Sequence, residues 1–81
     1  MKLRVKLFAV ARQRVGRETI EVELPSTATV GHLRAIIAEQ FPPLAELLRH
    51  SRIAVNSEYA ADVSTLALTS DVALIPPVSG G

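Results

Sequence analysis

The chain ends on Pro76-Pro77-Val78-Ser79-Gly80-Gly81, and the chemistry this segment offers is that of a main-chain carboxylate. Two prolines fix φ and favour an extended course, so the segment leaves the body in a defined direction. The residues from Pro77 to Gly81 span at most ~17 Å. Gly80 and Gly81 have no side chain, and such a tip passes through a channel that any Cβ would block. A stiff lead-in and a thin tip suit a C-terminus that is inserted into the active sites of other proteins. A carboxylate is a poor acyl electrophile, so a partner must first convert it to an acyl-adenylate or a similar species. A sulfur donor can then displace the leaving group and leave a thiocarboxylate at Gly81. The sulfur of a thiocarboxylate is nucleophilic and can be delivered to an organic substrate. Two terminal glycines alone arise by chance in roughly 0.5% of chains, so the prolines ahead of them carry much of the signal.

The other reactive residue types make no comparable arrangement. Cysteine is absent, so no disulfide, thiolate metal site or side-chain thioester is possible. His32 and His50 have no cysteine or carboxylate at ligand spacing, which gives no ground for a metal site. Serine, histidine and aspartate are all present, but nothing in their order places them as a triad. Arg12, Arg14 and Arg17 either recognise an acidic partner surface or are solvated loop charges.

The tail needs a body that aims it. Leu3, Val5 and Leu7 alternate with Lys2, Arg4, Lys6 and Phe8, and Ile20, Val22 and Leu24 alternate with Thr19, Glu21 and Glu23. Period-two alternation marks half-buried strands. The polar face of the first run is basic and that of the second acidic, so pairing them as a hairpin sets opposite charges across the ladder. Gly16 can end a short helical turn in the long loop between them. Thr29 is a suitable helix N-cap, followed by an apolar stripe of Val30, Leu33, Ile37 and Phe41 at helical spacing. Pro42 and Pro43 stop that helix. A second short helix is expected over Pro43–Arg49, burying Leu44, Leu47 and Leu48. Ile53 and Val55 read as a third strand with Asn56-Ser57 as its turn, and Val72–Ile75 as the last, introduced by Thr69-Ser70-Asp71. The pattern assigns no element to Tyr59–Leu68. Two strands followed by a helix that must cross the sheet give an α+β roll. The segment after the last strand is expected to project from the sheet edge. Phe8 lies on the polar face of the first strand and either anchors a partner or turns into the core. Ile75 alternates opposite to Leu74 and faces outward beside the tail, where aliphatic and aromatic anchors carry most interface energy.

Composition narrows the function classes. The 81 residues allow one domain, expected over 1–76 with a flexible tail at 77–81, and 48% of them are apolar. Nine basic and eight acidic residues leave a net charge of +1, which gives no concentrated basic face for nucleic acid. The start lacks the apolar run of a signal peptide, and no stretch approaches the ~20 apolar residues of a membrane span. The expectation is a cytoplasmic protein.

The ending Pro76-Pro77-Val78-Ser79-Gly80-Gly81, the start Val5-Lys6-Leu7-Phe8-Ala9 and the central Ala54-Val55-Asn56 together resemble the small subunits of molybdopterin synthase. The resemblance spans essentially the whole chain. It implies a ubiquitin-like β-grasp fold, with a mixed sheet packed on one main helix, and a thiocarboxylate at Gly81. It implies a large catalytic subunit that receives the tail in a heterotetramer, so that this chain is a sulfur-donating co-substrate without an active site of its own. Phe8, Ile75, Pro76, Pro77, Val78 and Ser79 are then expected to contact partners. An ATP-dependent adenylating enzyme, similar to ubiquitin-activating enzymes, would charge the tail, and no cofactor would be bound by the chain itself. The product would be the dithiolene of molybdopterin, formed from a cyclic pyranopterin monophosphate. Leu74-Ile75 stands where such chains often carry an aromatic pair, and Thr69-Ser70-Asp71 where they often carry a Gly-Asp turn. Both departures keep the apolar or turn character of their positions. Two other readings share the activation chemistry: a sulfur carrier for thiamin thiazole synthesis, and a protein modifier joined through Gly81 to lysines. A third is a plain interaction domain whose glycines do nothing.

Overall fold

The computed structural model describes residues 1–67 and 70–77. The basic and acidic runs pair as the charges require. β1 (Lys2–Leu7) and β2 (Thr19–Glu23) form an antiparallel ladder that sets Lys2 opposite Glu23 and Arg4 opposite Glu21. The Arg4 guanidinium stands 3.7 Å from the Glu21 carboxylate. Between them, α1 (Ala9–Val15) ends at Gly16, whose φ of 78° is the left-handed conformation of a helix C-cap.

α2 (Val30–Gln40) begins at Thr29, whose hydroxyl accepts from the His32 amide while the His32 Nδ1 accepts from the Thr29 amide. This reciprocal cap employs His32 where Glu or Gln usually serves. Val30, Leu33 and Ile37 are fully buried along the predicted stripe, with Phe41 half-buried at its end. The two prolines force a 3-10 turn at Pro42–Leu44 before α3 (Ala45–Leu48), and Leu44, Leu47 and Leu48 enter the core. Arg34 ties this layer together. Its guanidinium donates to the Asp62 carboxylate and to the Leu48 carbonyl, each at 2.8 Å.

β3 (Arg52–Val55) and β4 (Glu58–Tyr59) form a hairpin on the two-residue turn Asn56-Ser57, with φ of 53° and 71°. Positive φ at both positions is the turn whose twist matches its strands. Asn56 also accepts from the Asp71 amide through its side chain at 2.9 Å, anchoring the approach to the last strand. Serine pays the left-handed strain that Gly would avoid. Ser57→Gly is therefore expected to raise stability by about 0.5–1 kcal/mol, or roughly 2–8 °C in melting temperature. A thermal melt that is unchanged or lower would refute this account of the turn.

β5 (Val72–Ile75) corrects the sequence reading of its position. The strand order is β2-β1-β5-β3-β4, so the last strand is the middle of the sheet and the tail leaves from the centre. β5 runs parallel to β1 and antiparallel to β3. A parallel pair requires a crossover, and α2 supplies it on one face of the sheet. The β4 edge lies in part within the stretch to which the sequence pattern assigns no element. A two-residue strand is too short to show periodicity, and it exists because the turn pairs it with β3.

Candidate docking face and tail root

Parallel pairing of β1 with β5 brings their C-terminal ends together, since Leu7 is opposite Leu74. Antiparallel pairing brings the start of β3 to the same place, with Arg52 opposite Ile75. Phe8, Ile75, Pro76 and Arg52 therefore gather where the tail begins. α2 covers one face of the sheet, and the opposite face is left open. On that open face Lys6, Ala73 and Ala54 lie side by side across three strands. The small side chains of Ala54 and Ala73 leave a shallow groove, walled by Phe8, Tyr59 and Ile75 and closed at one end by the 3.7 Å ion pair of Lys6 with Asp71.

Phe8 is 46% exposed and Tyr59 is 60% exposed, so the Phe8 ring does not turn into the core. Ala9, at φ 50°, turns the chain sharply from β1 into α1 and leaves the Phe8 ring on the open face. Ile75 is half-buried and Pro76 buried, while Pro77 is exposed. Ile75 is a wall shared by three depressions. The first is the groove on the sheet; the second lies between Phe8, Val10, Leu47 and Pro76; the third is bounded by His50, Arg52, Tyr59 and Pro77. Val78, Ser79, Gly80 and Gly81 lie outside the described residues.

Tyr59 is the residue that sequence reasoning missed. The signal was present in the hairpin rule. A two-residue turn at Asn56-Ser57 places Tyr59 opposite Ala54, hence on the same face as Ala73. The arginines behind the first strand are partly committed within the chain. Arg12 stands 3.8 Å from Glu18, and Arg14 donates to the Pro43 carbonyl at 3.3 Å. Among the described residues no group of His, Cys, Asp and Glu is placed to hold a metal ion, and no helix is long and apolar enough to cross a membrane.

The match to the model of the ThiS family runs over residues 5–81. The chain belongs to the ThiS family. This ThiS-family chain is 36% identical to the molybdopterin synthase sulfur carrier subunit of Caenorhabditis briggsae, over 100% of its own length and 99% of the relative's. The crystal structure of small archaeal modifier protein 1 from Haloferax volcanii superposes on it with a TM-score of 0.86 at 30% identity, covering 100% of both chains. A complex of subunits 1 and 2 of molybdopterin-converting factor from Helicobacter pylori contains a chain matching it with a TM-score of 0.69 at 26% identity, again over 100% of both. The resemblance to molybdopterin synthase small subunits holds over the full length, and the fold is the ubiquitin-like β-grasp expected from it.

Proposed function

We propose that this chain is the sulfur carrier subunit of a molybdopterin synthase, acting in the cytoplasm through the main-chain carboxylate of Gly81. The observation that carries the reading is the full-length match to a carrier subunit of that name, joined to an open apolar face that converges on the root of the tail. In this reading residues 1–76 are the body and 77–81 the tail. A partner adenylating enzyme uses ATP to place AMP on the Gly81 carboxylate, with pyrophosphate leaving. A sulfide-level donor then displaces AMP and leaves the thiocarboxylate. The large subunit receives the tail, as the paired subunits from Helicobacter pylori suggest. The thiocarboxylate sulfur attacks a carbon of the cyclic pyranopterin monophosphate and displaces an oxygen. Water then cleaves the resulting thioester, leaving sulfur on the pterin and restoring the Gly81 carboxylate. The chain's own residues hold no cofactor and perform no proton transfer in this scheme. Phe8 and Ile75 dock the partners, Pro76 and Pro77 direct the tail, and Val78, Ser79 and Gly80 carry it inward.

The test is an intact mass after coexpression with the adenylating enzyme and sulfur source of the same organism. The expected result is a shift equal to exchange of oxygen for sulfur, localised to Gly81 by fragmentation. Localisation is needed because oxidation of Met1 adds nearly the same nominal mass. An unmodified carboxylate beside a demonstrably active adenylating enzyme would overturn the reading. Conversion of the pterin precursor in the presence of the large subunit then separates this role from sulfur supply to a thiazole. A second reading is favoured by the match to a small archaeal modifier protein. Ladders of conjugates that vanish on deleting Gly80-Gly81 would support a modifier.

A further inference from the structure

Among the described residues five of the nine lysines and arginines stand beside a carboxylate. Arg4, Lys6, Arg12, Arg34 and Arg49 each stand within 4.0 Å of a carboxylate. Arg14 is held by a backbone carbonyl. Among the described residues Lys2, Arg14, Arg17 and Arg52 have no ion pair, and of these Arg52 is the one at the root of the tail. Its guanidinium carbon lies 4.8 Å from the centre of the Tyr59 ring. Stacking of this kind holds a planar cation in place and leaves its N–H edge free to donate. The cleft it borders is completed by His50, Ile75, Pro76 and Pro77, and among the described residues no carboxylate lines it. His50 already has a carboxylate, that of Glu46, 3.8 Å from its Nε2. An oriented, uncompensated cation therefore stands beside the segment that enters other proteins, continuous with the apolar face through Ile75.

We propose that Arg52 is a specificity-determining residue that receives an aspartate or glutamate side chain of the large subunit, in the cleft beside Pro76 and Pro77. This rests on the reading of the chain as a carrier that docks through Phe8 and Ile75. The carboxylate lies across the N–H edge of the stacked guanidinium, while Tyr59 and Ile75 shield the pair from water and strengthen it. The pair selects its partner by charge at the moment the tail is inserted, and adds an ionic-strength dependence to an otherwise apolar contact.

The experiment measures affinity for the recombinant large subunit of the same organism by calorimetry at low and high salt. Arg52→Ala is expected to weaken binding by about ten-fold at low salt and Arg52→Glu by about a hundred-fold. Both should lose most of the salt dependence of the wild type, and replacing the facing acidic residue of the large subunit by arginine should restore Arg52→Glu. Circular dichroism verifies folding, and Arg52→Gln replaces Arg52→Glu if the latter does not fold. If Phe8→Asp and Ile75→Asp weaken binding while the Arg52 variants match the wild type, the role of Arg52 is overturned and the docking face stands. If all of these variants bind as the wild type does, the docking face itself is wrong and the inference falls with it.

Discussion

Removing Gly81 alone is expected to abolish sulfur transfer while leaving the melting temperature within about 4 °C of the intact chain. On the proposed carrier reading the two outcomes separate, because the chemistry lies in the tail and the buried core in the body. Burial among the described residues extends to Pro76, and Gly81 has no side chain, so removing it takes none from the core. Deleting one residue shortens the reach of the terminal carboxylate by up to about 3.4 Å. A misplacement of about 1 Å already costs on the order of a hundred-fold in rate when the reacting groups must be aligned. Formation of the pterin product with purified partners, and a thermal melt of the same sample, check the two halves. A large loss of thermal stability on deletion would show that the tail contributes to the fold and that the separation is wrong.

Adjacent positions of the last strand should respond in opposite ways. Leu74 is fully buried, lying between Leu7 on β1 and Ile53 on β3. Leu74→Ala removes about three buried carbons from the central strand and is expected to cost about 2–5 kcal/mol. A small domain has few kcal/mol in reserve, so a fall of 10 °C or more in melting temperature should follow. Ile75, the next residue, faces the other way and borders all three depressions at the tail root. Ile75→Asp sets an unpaired charge in the proposed docking face. It is expected to weaken binding to the large subunit by at least about 2 kcal/mol, roughly thirty-fold in Kd, while altering stability by no more than about 1 kcal/mol. Equal effects of both substitutions on stability, with binding to the large subunit unaffected by Ile75→Asp, would remove Ile75 from the docking face.

That contrast also shows what the amino-acid order discloses. Alternation was enough to orient Leu74 and Ile75, and the period of Val30, Leu33 and Ile37 was enough to orient α2, because burial on one face leaves a simple repeat. The cap at Thr29 was legible from its hydroxyl; its reciprocal partner His32 was not, since histidine is an unusual residue for that task. The central place of β5 was hidden because strand order depends on pairings far apart in sequence, which no local window contains. Tyr59 was hidden for a related reason. Its two-residue strand has no periodicity, and its meaning comes from Ala54 across the turn. The stacking of Arg52 on Tyr59 then had no local sign at all, as it links two strands through their side chains.

The position of β5 bears on how the molecule comes into being. Synthesis proceeds from residue 1 onward, so the strand at the middle of the sheet is made after every other strand described here. Until residue 75 is available, β1 and β3 each present an unsatisfied ladder edge, and the halves of the sheet on either side have nothing to join them. A nascent chain cut short before that point cannot close its core, and is left to proteases and aggregation. The tail, reactive on the proposed carrier reading, thus directly follows the strand whose docking completes the fold. A chain that carries Gly80-Gly81 has therefore already made every strand described here.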